Sequence, residues 1–273
     1  MTESDTRKSS AKQTRAIGSD VGNFSIFQVD GDADSAYITQ RIIDCCLRED
    51  LHSIASRGHA SAPPLPLDTI WPALVGQQAE LWWQVLHWPG GPIWLPVRRS
   101  DHMQPVTALS DGWLRRTAQG VQLEFGAQAW LALLAEGRDE KTRILHEQYV
   151  KEAALAVKHR TLARSAFAAN AERLAQVLDH PQWSERLLLA DQLASYRDHP
   201  FYPTARAKTG FDEAALRAYA PEYNPSFELH WLAVPRDQAT VSTPVPDFWP
   251  RLRELGFDAA LERSHAAFPV HPM

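Results

Sequence analysis

The feature that most limits the folds open to this chain is a change of hydrophobic period in its middle. LWWQVLHW at 81–88 and PIWLPVRR at 92–99 flank Pro89-Gly90-Gly91, and GWLRR at 112–116 and VQLEF at 121–125 flank Ala118-Gln119-Gly120. Aromatic and β-branched runs around glycine turns predict two hairpins. The spacers are too short for helical crossovers, so the sheet is expected to be antiparallel. From 127 onward the period becomes helical. AQAWLALLAEG predicts a helix closing near Gly137, and 141–180 contains neither Pro nor Gly and is rich in Ala, which predicts one long helix or two.

The flanking segments complete an α+β pattern, an antiparallel sheet with flanking helices. Ser35–Arg48 predicts a first helix capped by Asp34, with Tyr37, Ile38, Ile42, Cys45 and Cys46 near one face. SAPPLPLDTIWP at 61–72 has four prolines and predicts a loop or extended arm. Ser184 is the expected cap of a helix whose Leu189, Leu193 and Tyr196 share a face. Asp212 is the expected cap of EAALRAYA, which Pro221 stops. SFELHWLAV at 226–234 predicts a strand returning to the sheet. FWPRLRELG and DAALERSHAA predict short helical pieces, and FPV at 268–270 predicts the start of a strand. The ten tryptophans are expected in the core, because most lie inside apolar periodic elements.

Composition excludes several classes of function. The formal net charge of -5 and the absence of a Lys/Arg stripe argue against nucleic acid. No apolar run approaches transmembrane length, and the polar start MTESDTRKSSAKQTR has no signal-peptide core, so no membrane partner and a cytoplasmic location are expected. Residues 1–20 are expected to be a disordered tail, with 21–273 as the folded region. Cys45 and Cys46 are adjacent, which offers neither a disulfide framework nor zinc spacing; core packing is expected, and no metal ligands are assigned.

One loop carries chemistry-bearing residues at high density: DHPFYPTARAKTGF, 198–211. Arg206 and Lys208 alternate, so in an extended chain both would point to one face and hold a phosphate or carboxylate. The competing reading, solvated cations or pairs with nearby acids, stands level with it. His199 can donate to an anion or cap the preceding helix. Glu222 is read as a helix-end or sheet-rim salt bridge rather than a base.

This loop resembles the N-terminal motif of the IucA/IucC-type, NRPS-independent siderophore (NIS) synthetases, roughly GHPxHPxxKxRxGF, a short helix, YxPEF and a strand. Asp198-His199-Pro200-Phe201-Tyr202-Pro203, then Arg206, Lys208, Gly210 and Phe211, follow the first part. Tyr219, Pro221, Glu222 and Tyr223 follow the second, and SFELHWLAV follows the strand. The final FPVHPM resembles the family's PVHPWQ with Met273 in place of tryptophan, and YITQRIIDCCLRED resembles its first helix. Three departures stand out. Asp198 replaces a glycine, Tyr202 replaces the second histidine, and Arg206 and Lys208 exchange the Lys and Arg.

The resemblance implies the N-terminal portion of the siderophore synthetase fold. It implies ATP and Mg2+ as cofactors, with His199, Tyr202, Arg206 and Lys208 as contacts to ATP; no catalytic residue is assigned. The implied substrates are citrate or a related carboxylic acid and an amine or hydroxyl. Family members are longer, with further ATP, citrate and metal contacts beyond PVHPWQ. The region is therefore expected to be incomplete at its C-terminus and inactive alone, with a hydrophobic face left open. A C-terminal half or a homo-oligomer is the expected partner. The alternative is a non-catalytic anion-binding or regulatory protein derived from that family.

Overall fold

A computed structural model describes residues 33–66, 81–100, 103–176, 179–240 and 246–272. The N-terminal tail, 67–80 with Trp71, and Met273, on which expectations were stated, lie outside the described residues. The chain divides into two compact units, 1–213 and 214–273.

The first unit is built on the two predicted hairpins. β2 (Leu81–Val85) pairs antiparallel with β3 (Ile93–Arg99), in register Leu81↔Val97 to Val85↔Ile93. β5 (Gly112–Thr117) pairs antiparallel with β6 (Gly120–Phe125). Two short strands were not anticipated. β1 (His59–Ser61) extends the sheet beside β2, and β4 (Val106–Ala108) shares one edge of β3 with β5. The result is a six-stranded antiparallel sheet in the order β1-β2-β3-β5-β6, with β4 beside β3. Three residues each give too little alternation for a sequence to announce such strands. β1 also begins just before the proline-rich segment and takes in its first residue.

Helices cover one face of this sheet. α1 (Ala33–Arg48) buries Ile38, Ile42, Ile43, Cys46 and Leu47. α2 (Ala127–Ala135) buries Trp130, Leu131, Leu133 and Leu134, and stops before Gly137, whose φ of 68° ends the helical path. α3 is one continuous helix, Glu140–Leu174, capped by Asp139, whose carboxylate accepts from Thr142 N at 2.8 Å. Ala153, Ala156, Ala163 and Ala166 form its buried stripe, small enough for α1 and α2 to pack close. These helices share a core with Val85, Ile93, Leu95, Val97 and Trp113 of the sheet. Trp82, Trp94 and Leu114 point to the opposite face and form a smaller cluster with Val121 and Leu123.

Two capping expectations are corrected. Asp34 lies inside the first turn of α1 and is buried, because its carboxylate is taken by cations of α3. α4 runs Trp183–Ser195 with Gln182 before it, so Ser184 is a helical residue and not the cap. Tryptophan burial holds for Trp82, Trp88, Trp94, Trp113 and Trp130 but fails for Trp183, which is 68% exposed at the start of α4. Cys46 is buried, and desolvation pushes its thiol up to about 12; Cys45 is half-buried.

In the second unit, α5 (Glu213–Tyr219) leads to a 3-10 turn at Pro221–Tyr223. β7 (His230–Pro235) does not return to the large sheet. It pairs antiparallel with β8 (His265–Val270) as a separate two-stranded ribbon, because β8 offers a full-length partner in register His230↔Val270 to Pro235↔His265. The pieces between them are 3-10 turns, Leu252–Leu255 and Ala259–Arg263. Trp231 stacks edge-on with Trp249, ring centroids 5.5 Å apart, and the Trp249 indole donates to Ala267 O at 3.1 Å. The cross-strand pair Leu232 and Phe268 is exposed. No helix among the described residues is long and apolar enough to cross a membrane.

Candidate functional site

The loop after α4 is held by charge rather than by apolar packing. Asp198 accepts from Arg206 Nε at 2.6 Å through one oxygen and from Arg160 Nη1 at 2.7 Å through the other. Arg160 continues to Asp34 at 3.1 Å, and Asp34 also accepts from Arg164 at 3.2 Å and from the Thr161 hydroxyl at 2.8 Å. The side chains of Asp34, Arg160, Asp198 and Arg206 are between 2% and 6% exposed. Such buried ions persist only when their charges alternate and their hydrogen bonds are satisfied. The Arg160 guanidinium also lies over the Tyr37 ring, 3.5 Å from its centroid. Burial, with Asp198 next, holds the Tyr37 phenol above its ordinary value.

Arg206 is therefore buried in a pair with a nearby acid, the competing reading that the sequence left open. Its Nη2 donates to Tyr196 O at 2.8 Å and its Nη1 to Ser195 O at 3.3 Å, so it closes the end of α4. The extended geometry that would align Arg206 with Lys208 is also absent. Residues 203–206 form a turn, with Ala207 N donating to Thr204 O at 2.8 Å.

His199 and Tyr202 are exposed and lie together. His199 Nδ1 accepts from Tyr202 N at 2.9 Å and from Phe201 N at 3.2 Å. In the neutral ring this places the proton on Nε2. The Tyr202 hydroxyl donates to Glu152 Oε1 at 2.6 Å, and Thr204 donates to the same oxygen at 2.5 Å. The Glu152 contact raises the Tyr202 phenol above its ordinary value. Lys208 is half-buried, and its backbone N donates to His159 Nδ1 at 3.2 Å. Burial holds the His159 imidazole below its ordinary value, and Lys208 adds to the effect.

Sequence reasoning missed the supports of this loop. Arg41 of α1 donates to the carbonyls of His199 and Tyr202, and Arg48 donates to that of Phe201 at 3.1 Å. Beside them is a cavity of about 250 Å3, lined by Arg41, Asp44, Arg48, Thr107 and Phe201 among others. Asp44 accepts from Ala108 N at 2.6 Å, and burial pushes its carboxyl up to about 6 despite Arg98, Arg41 and Arg48 nearby. The spacing of Arg41 and Arg48, two turns apart on one helix, was the available signal. In the second unit Glu222 is buried, and His271 stacks edge-on with Tyr219 and Phe227 at 5.2 and 4.8 Å.

Residues 186–273, which contain the loop and both strands of the ribbon, match the IucA / IucC family model. That segment, about a third of the chain, is similar to the IucA / IucC family. It is 47% identical over 53 residues to an L-2,3-diaminopropanoate–citrate ligase of Staphylococcus aureus, covering 19% of this chain and 9% of that protein. It is 30% identical over 87 residues to an aerobactin synthase of Escherichia coli, covering 27% of this chain and 15% of the relative. The staphyloferrin B synthase of Staphylococcus aureus is 30% identical over 100 residues, covering 33% and 17%. Each match thus spans less than a fifth of its relative. Among solved structures, aerobactin synthetase IucC from Klebsiella pneumoniae superposes with a TM-score of 0.48 at 18% identity, covering 88% of this chain and 40% of that one. The ATP-bound IucA structure from the same organism gives 0.43 at 15% identity, covering 90% and 39%.

Proposed function

We propose that this chain supplies part of an ATP-dependent synthetase of siderophore biosynthesis. In that reaction a carboxylate oxygen of citrate or a related acid attacks the α-phosphorus of ATP and pyrophosphate leaves. An amine or hydroxyl then attacks the acyl carbon, loses its proton and releases AMP. The observation that carries the reading is the family match over 186–273, which includes the His199–Lys208 loop.

The chain's own residues would act by binding and orientation. His199 offers an exposed Nε2–H to a phosphate oxygen, and the Lys208 ammonium offers a point charge. Tyr202 commits its proton to Glu152, so its role is to fix the loop and present an oxygen acceptor. Arg206 is a positioning residue that holds Asp198 and the end of α4. His199 and Lys208 are both donors of the kind that a phosphate oxygen accepts from. Among the described residues no group of three His, Cys, Asp or Glu is placed to hold a metal ion, so Mg2+ is assigned no ligand and no step.

A second reading, a non-catalytic anion-binding or regulatory protein, is favoured by the internal consumption of Arg206 by Asp198, which stands where the family has glycine. Two measurements test the first reading. Calorimetry with ATP should show binding that His199→Ala and Lys208→Ala each weaken by roughly tenfold through lost charge-assisted contacts. ATP affinity unchanged by both substitutions would remove the loop from nucleotide binding. With ATP, Mg2+, citrate and hydroxylamine as trap, the chain alone should not release AMP at an enzymatic rate, since one part of a charge-stabilising cleft cannot orient all three reactants. Turnover by the chain alone would overturn that division of labour.

A further inference from the structure

A cavity of about 670 Å3 lies away from the loop, between α2 and the first half of α3. That volume is in the range of small-molecule sites. The loop and the cavity use opposite sides of α3. Tyr149 and Glu152 meet the loop, whereas Arg143, His146, Glu147 and Val150 line the cavity. The wall is fixed, because His146 Nδ1 lies 3.1 Å from Leu131 O, a carbonyl that can only accept, and so ties α3 to α2.

The floor is apolar, made by Leu131, Ala132, Ala135 and Val150, and no Phe, Tyr or Trp is among the lining residues. The rim is charged, and its charges are unequally engaged. Glu136 is neutralised from outside by Arg115 at 2.6 Å, and Arg143 is paired with Glu140 at 2.6 Å. Among the described residues, no carboxylate lies within ion-pair distance of Arg138 or Lys151, which stand on the rim with Glu147 as the remaining acid. An apolar floor beneath two unengaged cations is complementary to an aliphatic chain ending in one carboxylate.

We infer that this cavity is a binding site for an aliphatic monocarboxylate, with the chain against Leu131, Ala135 and Val150 and the headgroup at Arg138 and Lys151. The site is independent of the nucleotide reading of the loop.

Calorimetry with octanoate tests it on the full chain. One octanoate should bind per chain, at least about tenfold more tightly than octylammonium, and added salt should weaken it because the rim is exposed. Ala132 lines the cavity and is exposed, so Ala132→Trp should fill it without disturbing the core and should abolish binding. The rim variant Arg138→Glu/Lys151→Glu should weaken octanoate by at least about tenfold and leave the fold intact by circular dichroism. Should Ala132→Trp fail to fold, the rim variant decides. Equal affinity for octanoate and octylammonium, absence of saturable binding, or octanoate binding unchanged in the folded variants would overturn the assignment.

Discussion

Arg206 donates to Asp198 at 2.6 Å with both side chains almost wholly buried, 4% and 6% exposed. Removing Arg206 leaves the buried Asp198 with Arg160, and removing Asp198 takes a counter-charge from the buried Arg206 and Arg160. The expected cost is about 3 kcal/mol or more for Arg206→Ala and for Asp198→Ala, read from urea midpoints. The double variant should lose less than the sum, by roughly 1–3 kcal/mol, because the pair is coupled. Additive losses would show that the two residues act separately.

Asp44 gives a pH dependence of definite sign. Its folded carboxyl titrates near 6 against an ordinary 3.8, so the folded state holds the proton more tightly than the unfolded chain. The group's contribution is present in full below pH 3.8 and is lost as pH rises to about 6. The difference of about two pKa units corresponds to something on the order of 3 kcal/mol. Asp44→Asn keeps an oxygen for Ala108 N and removes the charge. The variant should therefore be more stable than the parent above pH 6 and nearly equal below pH 3.8. A constant difference across that range would mean that Asp44 does not titrate as stated.

How much of this was legible depends on the range of the interaction. The hairpins, α2 and the long α3 follow from local periods and turn glycines, and the structure follows them closely. The capping of α1 by Asp34 was a sound local inference that lost to a distant one. Arg160 sits 126 residues away, and no spacing rule announces it. β7 carried a correct strand signal, but alternation says nothing about which partner a strand takes. At the loop, the sequence left Arg206 open between an anion contact and a pair with a nearby acid, and it is paired with an acid. Asp198, eight residues earlier, was noted only as a departure from glycine, yet it is the partner that draws Arg206 inward.

The hairpin turn offers a test of backbone geometry. Gly91 has φ +113°, and a Cβ there would meet Arg116 O, a backbone atom, at 2.3 Å. Gly120 has a similar φ of +119° with nothing within 4 Å. Both alanine substitutions carry conformational strain of about 1–3 kcal/mol. Gly91→Ala must also displace the β5 backbone that pairs through Arg116 N to Pro92 O at 2.9 Å. Gly91→Ala should therefore lower the melting temperature clearly more than Gly120→Ala. Equal shifts would show that strain alone, without the collision, sets the cost.

Tyr202 stands where the resembling motif has a histidine, and its hydroxyl shares Glu152 Oε1 with Thr204. Because the Glu152 hydrogen bond favours the neutral phenol, the folded state binds this proton more tightly than the unfolded chain. The stability from the contact is therefore complete below pH 10 and falls as pH rises through the elevated folded value. Tyr202→Phe removes the donor but keeps the ring. Since the site is exposed, the loss should stay within about 1 kcal/mol well below pH 10 and shrink above it. Glu152→Ala should bring the Tyr202 ionisation back toward 10, followed as phenolate absorbance against the Tyr202→Phe background. An ionisation that stays elevated in Glu152→Ala would mean that burial, and not this hydrogen bond, holds the proton.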